Sequence, residues 1–257
     1  MKIPFHKYQG TGNDFIMIDD RENKFPDTDL GLVSRLCDRR FGIGADGLIL
    51  IRNHKGLDFD MIYFNSDGTQ SLCGNGSRCA VKFAHAAGIC GKEARFHTIE
   101  GNLTAKIEGS EVHLKMPDVD GVKHVGPDLF INTGSPHYIR YVKDVKHFDV
   151  FQEGRAIRYS GLYGERGTNV DFVETSGPDE IFVRTYERGV ENETLSCGTG
   201  VTACALAHGT MGHTSPVTVH TPGGKLTVSF RKSGDGGFTD IYLIGPAEKV
   251  FEGSVEV

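Results

Sequence analysis

Cys-Gly-Asn-Gly at residues 73–76 returns as Cys-Gly-Thr-Gly at residues 197–200. In each copy a cysteine precedes glycines and then a run of small apolar residues, 79–87 in the first copy and 201–208 in the second. This pattern predicts a helix that begins immediately after each cysteine. A thiol in that position faces unpaired backbone N–H groups and the positive end of the helix dipole, which favour thiolate over thiol. Two such cysteines suit an acid and base pair.

The near-repeat extends beyond the two cysteine motifs. The cysteine motifs are 124 residues apart, and three further pairs of segments return at offsets of 122 or 123 residues: 11–16 with 133–138, 63–68 with 185–189, and 97–104 with 220–227. A near-constant offset at four places predicts a duplicated fold. We expect two similar halves that face each other, each delivering one cysteine to a shared cleft.

The order of predicted elements is the same in both halves, with short strands, then the cysteine helix, then a closing meander. We therefore expect an α+β protein of two pseudo-symmetric halves, each a mixed or antiparallel sheet wrapped around one central helix. Small residues on that helix suit tight enclosure by strands. The predicted halves are 1–119, which carries Cys73, and 120–247, which carries Cys197. Residues 117–127, rich in Asp, Gly and Pro, are predicted to be the linker.

Composition limits the class of protein. The 257 residues carry a net charge of −6 with no block of like charges, so no nucleic-acid or anionic membrane partner is expected. We find neither an apolar run of signal-peptide length at the N-terminus nor a stretch of transmembrane length, and we expect a cytoplasmic protein. The six cysteines include no CxxC pair, so they are expected to be reduced thiols.

One glycine-rich segment imitates a nucleotide-binding motif. Residues 42–47 match the GxGxxG pattern of dinucleotide-binding proteins. The true fingerprint follows a strand and opens a helix, whereas this segment follows a predicted helix and leads into a predicted strand. We therefore interpret it as a turn.

Two opposed thiols suit one reaction in particular. If a thiolate removes a proton from a carbon and a thiol on the opposite face returns one, the product has inverted configuration, as in a racemase or epimerase. A Cα–H is a very weak acid, so charge developing on the α-carboxylate oxygens must be stabilised. Preorganised backbone N–H groups at the two helix N-termini are suited to this task.

The motifs together resemble those of the diaminopimelate epimerase family. The resemblance rests on Gly-Asn-Asp-Phe at 12–15, Cys-Gly-Asn-Gly at 73–76, Glu-Arg-Gly at 187–189 and Cys-Gly-Thr-Gly at 197–200, and it covers nearly the whole chain. It implies interconversion of LL- and meso-2,6-diaminopimelate, without pyridoxal phosphate or metal, for lysine and peptidoglycan synthesis. It also implies a homodimer, and a last strand, about residues 248–257, that joins the first half.

The same resemblance assigns roles to individual residues. Cys73 and Cys197 are the proton donor and acceptor, and His137 and Glu187 flank them and tune their protonation. The implied substrate-binding residues are Asn13, Asn65, Gly74, Asn75, Asn169, Glu187, Arg188, Gly198 and Thr199. Such a set makes physical sense, because the non-reacting end of diaminopimelate needs amide and guanidinium partners for its carboxylate and acceptors for its ammonium.

Two positions depart from the family pattern. Ser135 stands before Pro-His where many members carry Asn, and Gly47 stands where many carry Gln. Whether these residues replace family substrate contacts is left open by the sequence.

Other interpretations remain open at this stage. The four remaining cysteines, Cys37, Cys79, Cys90 and Cys204, are expected to be structural. A proline racemase-like enzyme would use the same mechanism with two thiols, although its small substrates lack a second amino acid end. A thiol redox or zinc-binding protein is the alternative from another class, but the thiol spacings do not match the short C-x₂₋₄-C spacing of structural zinc sites.

Overall fold

The computed structural model describes residues 2–164 and 166–257. The chain divides into two compact units, Met1–Leu114 together with Gly245–Val257, and Lys115–Ile244. No helix within the described ranges is long and apolar enough to cross a membrane.

The strands and helices are numbered separately, each in chain order. The strands are β1 Lys2–Gly10, β2 Asn13–Asp19, β3 Gly47–Arg52, β4 Phe59–Asn65, β5 Glu93–Thr98, β6 Gly101–Glu108, β7 Glu111–Lys115, β8 Lys123–Val125, β9 Asp128–Asn132, β10 Pro136–Tyr141, β11 Asn169–Gly177, β12 Glu180–Glu187, β13 Asn192–Thr194, β14 Val217–Thr221, β15 Gly224–Lys232, β16 Phe238–Pro246 and β17 Glu248–Glu256. The helices are α1 Leu30–Cys37, α2 Gly74–Ala86, α3 Val150–Arg158 and α4 Gly198–Thr210, with a 3₁₀ turn at Val145–His147.

The two units have the same strand topology. The first runs β17-β1-β2-β3-β4-β5-β6-β7, in which β2 with β3 and β4 with β5 are parallel and the other pairs are antiparallel. The second runs β8-β9-β10-β11-β12-β14-β15-β16, in which β10 with β11 and β12 with β14 are parallel and the others antiparallel. The sequence of directions is identical, which confirms the predicted α+β fold of duplicated halves.

One helix is enclosed by each sheet. Helix α2 packs on β1 and β2, and α4 packs on β14 and β15. Small residues make this possible. A Cβ at Gly76 would lie 3.1 Å from Ile49 Cδ1, and a Cβ at Gly209 would lie 2.7 Å from Phe230 Cζ. Larger side chains would force the strands away from the helix.

The predicted linker contains a short strand. Strand β8 lies within residues 117–127 and pairs with β9 in an antiparallel hairpin. Val119 also forms a bridge with Phe238. The turn between β8 and β9 uses Gly126 at a φ of +62°. Gly126 and Pro127, two of the residues that suggested a linker, therefore form the turn of a hairpin.

Candidate active site

Cys73 is the N-cap residue of α2 and is partly buried. Its backbone is extended, and its carbonyl oxygen accepts the first helical hydrogen bond from the Ser77 N–H at 2.8 Å. The Gly76 N–H donates to Cys73 Sγ over 3.4 Å. The predicted helix start is confirmed, and the thiol has one of the unpaired helix amides as a partner.

Asn13 contacts Cys73 from the start of β2. Cys73 Sγ donates to Asn13 Oδ1 at 3.5 Å, and Asn75 Nδ2 donates to the same oxygen at 3.4 Å. The Asn13 amide nitrogen donates to Asp46 Oδ2 at 2.6 Å. Partners on both ends of the amide fix its orientation, so three residues named from the sequence, Asn13, Cys73 and Asn75, meet in the first unit.

Arg78 lies beneath this group and was not predicted from the sequence. It is fully buried, and its guanidinium donates to Asn75 Oδ1 at 3.0 Å and to Thr11 Oγ1 at 2.8 Å. Burial lowers the pKa of Arg78 from its usual range. Because Asn75 Oδ1 is occupied by Arg78, its amide nitrogen is directed to Asn13. The available signal was an arginine next to the apolar run Cys79–Val81.

Asp14, next to Asn13, is held by two cations. Arg39 donates to both of its carboxylate oxygens, at 2.9 and 2.7 Å, and Lys7 Nζ lies 2.8 Å from Oδ2. Burial alone would raise the pKa of Asp14, but hydrogen bonds from Arg39 and Lys7 outweigh it and lower the pKa to about 2. Arg39 also bonds to Asp46 at 2.7 Å. The glycine-rich loop at 42–47 therefore supplies Asp46 to this cluster, between α1 and β3 as predicted.

Asn65 occupies a different environment, at the end of β4. Its amide nitrogen donates to Thr69 Oγ1 at 3.0 Å and to Ser71 Oγ at 3.2 Å. These bonds brace the loop that leads to Cys73. The contacts of Asn65 are therefore those of a residue that orders the loop.

Gly47 pairs with Asn65 in the antiparallel ladder and has no space for a side chain. A Cβ there would lie 2.5 Å from Phe64 O and 2.9 Å from Tyr63 Oη. The Tyr63 ring thus fills the volume that a longer residue at position 47 would need. The departure at Gly47 is matched by the packing around it.

Cys197 is the N-cap residue of α4 and is buried, with only 7% of its surface exposed. Its Sγ is 3.5 Å from Thr199 Oγ1. Burial raises the pKa of Cys197 well above 9.0, and the nearby charges of Glu187 and Asp171 raise it further, against a smaller opposing effect of the Thr199 hydrogen bond. The expectation that the helix start favours thiolate is therefore wrong for Cys197, because desolvation and two carboxylates outweigh the helix dipole.

His137 lies at the start of β10 and is completely buried. Its Nε2 is 2.9 Å from Thr199 Oγ1, and its Nδ1 is 2.7 Å from Asp171 Oδ2. Thr133 Oγ1 donates to the Thr199 carbonyl at 2.9 Å and so holds the first turn of α4. His137, Thr199 and Cys197 are thus joined by hydrogen bonds. Asp171 was missed by sequence reasoning, although a carboxylate between Val170 and Phe172 was a visible signal.

A second cluster in this unit joins Ser135, Asn169 and Arg188. Asn169 Nδ2 donates to Ser135 Oγ at 2.9 Å, and Arg188 Nη2 donates to the same oxygen at 3.4 Å. Asn169 Oδ1 accepts the Arg188 backbone N–H at 2.9 Å. The Ser135 hydroxyl therefore accepts twice, which leaves its proton to donate. Glu187 precedes Arg188 and accepts a hydrogen bond from Thr194 Oγ1 at 2.8 Å.

Burial raises the pKa of the four remaining cysteines, as it does that of Cys197. Burial raises the pKa of Cys37 and of Cys79 to about 12, and that of Cys90 to about 11. Burial also raises the pKa of Cys204 well above 9.0. Among residues 2–164 and 166–257, no group of three or more His, Cys, Asp or Glu side chains is arranged to hold a metal ion.

Solved structures with the same architecture define the class of fold. A phenazine biosynthesis protein of the PhzF family from Bacillus anthracis matches with a TM-score of 0.78 and 15% identity, covering all of both chains. A probable proline racemase from Agrobacterium radiobacter matches with a TM-score of 0.71 and 14% identity, covering 99% of this chain and 93% of the other. At these identities the likeness concerns the fold alone.

Sequence comparison is more specific. The family model for diaminopimelate epimerase matches residues 5–121 and 129–250. A diaminopimelate epimerase from Flavobacterium psychrophilum is 50% identical over 257 residues, covering 98% of this chain and all of the other. The chain belongs to the diaminopimelate epimerase family, a family of isomerases, as the sequence motifs indicated.

Proposed function

We propose that this protein interconverts LL- and meso-2,6-diaminopimelate, with Cys73 and Cys197 acting on opposite faces of the reacting α-carbon. The observation that carries the proposal is the repetition within the fold. Each unit has the same strand topology, and each places one cysteine at the N-cap of the enclosed helix. A fold duplicated around two thiols suits a reaction that needs one base and one acid.

The two thiols start from different protonation states. Cys197 is the resting thiol, because burial and two nearby carboxylates raise its pKa. Cys73 is partly exposed and accepts a hydrogen bond from the Gly76 N–H, so we assign it as the thiolate, formed when it loses the proton that Sγ donates to Asn13 Oδ1. In one direction Cys73 takes the Cα proton and Cys197 delivers its own to the other face. The reverse reaction begins with Cys197 as the thiolate and Cys73 as the thiol.

Charge that develops on the α-carboxylate requires donors. The backbone N–H groups of the first turns of α2 and α4, at Gly74, Asn75, Gly198 and Thr199, lie at the positive ends of the two helix dipoles and are proposed to serve this role. Each cysteine motif would then supply both an acid or base and part of the oxyanion site.

The distal amino acid end of the substrate is assigned to the Ser135, Asn169 and Arg188 cluster. Arg188 provides charge, and the Ser135 hydroxyl has a proton left to donate to a carboxylate. Ser135 would thereby replace the Asn that many family members carry. Asn13 and Glu187 are proposed as further substrate contacts, and Asn65 as an ordering residue of the Cys73 loop.

We further propose that the protein works in the cytoplasm as a homodimer and feeds lysine and peptidoglycan synthesis. These points rest on the family resemblance. The proposal needs neither pyridoxal phosphate nor metal, because the thiols supply acid and base and the helix amides supply charge stabilisation.

A proline racemase-like activity is the second candidate, favoured by the shared fold. Such substrates have one carboxylate and no distal amino acid end. They would leave the Ser135, Asn169 and Arg188 cluster without a ligand, which is why we place this activity second.

The test is solvent deuterium incorporation at Cα of LL-diaminopimelate, measured by mass spectrometry and chiral analysis under reducing conditions. Wild type should incorporate deuterium with inversion. Cys73→Ala and Cys197→Ala should both fail to epimerise, while Cys90→Ala, which removes a thiol outside the site, should behave like wild type. Exchange of proline but not of diaminopimelate would transfer the assignment to the second candidate, and exchange of neither would overturn both.

A further inference from the structure

Asp171 is a buried carboxylate outside the set of residues assigned to substrate. It lies on β11 between Val170 and Phe172 and has no exposed surface. One oxygen accepts from Thr185 Oγ1 at 2.6 Å, and the other is 2.7 Å from His137 Nδ1. A carboxylate buried this completely is costly unless it is bonded, so both contacts are needed for its stability.

The surrounding structure fixes this carboxylate in place. Asp171 and Thr185 are directly opposite each other in the antiparallel ladder of β11 and β12. From the other side α4 approaches closely, and a Cβ at Gly200 would lie 2.6 Å from Asp171 Oδ1. Gly200, the second glycine of the Cys-Gly-Thr-Gly motif, therefore lets the helix reach the carboxylate.

The contact with Asp171 determines which nitrogen of His137 carries a proton. An ionised carboxylate only accepts hydrogen bonds, so Nδ1 must be the donor. Nδ1 keeps its proton whether the imidazole is neutral or charged, and only Nε2 is available to gain or lose one. Nε2 is 2.9 Å from Thr199 Oγ1, which is 3.5 Å from Cys197 Sγ.

We propose that Asp171 is a positioning residue that keeps Nδ1 of His137 protonated, so that Nε2 exchanges a proton with Cys197 through the Thr199 hydroxyl. The inference rests on the proposed function and deepens it. It adds Asp171 and Thr185 to the machinery, and it gives His137 and Thr199 defined roles.

The proton transfer balances within the protein. As the S–H bond of Cys197 breaks, its proton passes to Thr199 Oγ, and the original Thr199 hydroxyl proton passes to Nε2 of His137. The products are a thiolate, an intact hydroxyl and an imidazolium whose charge faces Asp171. The reverse transfer restores the thiol. A carboxylate that orients and stabilises an imidazolium in this way is known from catalytic triads.

The first experiment measures the tautomer of His137 in the wild-type protein. Long-range ¹H–¹⁵N correlation spectra of the ¹⁵N-histidine-labelled protein distinguish a protonated, pyrrole-type nitrogen from an unprotonated, pyridine-type one, and His137→Gln identifies the His137 signals. Nδ1 of His137 should be pyrrole-type at neutral pH. A pyridine-type Nδ1 would overturn the inference without touching the proposed epimerase activity.

The second experiment removes the carboxylate with Asp171→Leu, which keeps the branched shape. We expect kcat to fall by about 100-fold or more while KM stays within about threefold, and the spectra to show the Nε2–H tautomer. Glu180→Leu is the matched control. It removes the carboxylate 2.6 Å from Nε2 of another strand histidine, His220, and should change neither kcat nor the His137 signals.

Each outcome of the second experiment has a meaning. A lower kcat with an unchanged His137 tautomer would reduce Asp171 to a structural residue and overturn the inference. An unchanged kcat would do the same. If Asp171→Leu does not fold, the wild-type spectrum alone decides. If the wild-type protein does not epimerise diaminopimelate, that result would count against the proposed function rather than against this inference.

Discussion

The backbone N–H of Gly76 donates a hydrogen bond to the Sγ of Cys73, three residues earlier, over 3.4 Å. This bond is the direct consequence of placing a cysteine at a helix N-cap, where the first amides have no helical partner. A thiolate gains more from such a donor than a thiol does.

This contact predicts unequal thiol reactivity. At neutral pH iodoacetamide should alkylate Cys73 at least about 10-fold faster than Cys197, since the raised pKa of Cys197 leaves little thiolate. Raising the pH should accelerate Cys197. Mass spectrometry of the peptides over time measures both, and Cys79, fully buried with a pKa of about 12, is an internal control that should stay unmodified. Faster alkylation of Cys197 would reverse the assigned resting states.

A second prediction concerns Arg78→Lys. A lysine amine cannot reach Asn75 and Thr11 with the geometry of a guanidinium, so the amide of Asn75 loses its fixed orientation. We expect the free energy of unfolding in urea to fall by about 1.5–3 kcal/mol. We also expect kcat/KM to fall by about 10-fold, the equivalent of one charge-assisted hydrogen bond. The exposed Arg231→Lys should stay within about 0.5 kcal/mol, and equal effects of the two changes would contradict the role given to Arg78.

Ser135→Ala tests the distal subsite. The hydroxyl accepts from Asn169 and Arg188, and the proposal gives its proton to the substrate carboxylate. Removing one such hydrogen bond should raise KM for diaminopimelate by about 10-fold and change kcat little. Ser110→Ala, in the exposed turn between β6 and β7, is the matched control. Steady-state kinetics with an unaltered KM would show that Ser135 lies outside the substrate site.

Gly47→Ala tests the packing at the other departure from the family pattern. Its methyl group would meet Phe64 O at 2.5 Å, so we expect a loss of about 1–3 kcal/mol in the free energy of unfolding. At Gly91 a Cβ would meet nothing within 4 Å, and Gly91→Ala should stay within about 0.5 kcal/mol of wild type. Thermal or urea unfolding compares them directly. If Gly47→Ala is as stable as Gly91→Ala, position 47 is not tightly packed against Phe64 and Tyr63.

The Asp14 cluster predicts a pH dependence of stability. Its folded pKa of about 2 lies below the unfolded value of about 3.9, so the unfolded state binds more protons at intermediate pH. The contribution, about 2 kcal/mol, is fully present above the unfolded pKa and is lost as pH falls through the folded one. Urea titrations should show a stability gap between wild type and Asp14→Asn that is smaller at pH 3 than at pH 7. A gap independent of pH would contradict the depressed pKa.

Local patterns in the sequence were sufficient for several features of the site. The starts of α2 and α4 followed from Cys-Gly-x-Gly and the small residues after it, because capping and helix propensity are short-range effects. The residues implied by the family motifs also meet, with Asn13 and Asn75 beside Cys73, and His137 and Thr199 joined to Cys197. Neither Arg78 nor Asp171 was identified. Arg78 contacts Thr11 as well as the nearby Asn75, and Asp171 contacts His137 and Thr185, and a local pattern does not show the contacts with Thr11, His137 and Thr185.

The sequence by itself determined the duplicated α+β fold, the helix starts at Cys73 and Cys197, and the family. Only the tertiary structure decided the protonation of Cys197, because the helix dipole is local whereas desolvation and the charges of Glu187 and Asp171 depend on how strands pack around α4. It also decided the contacts of Asp171. Those contacts depend on strand pairing, since Thr185 and His137 become its partners through the register of β10, β11 and β12. Register is set by long-range pairing across the sheet, which a local pattern does not encode.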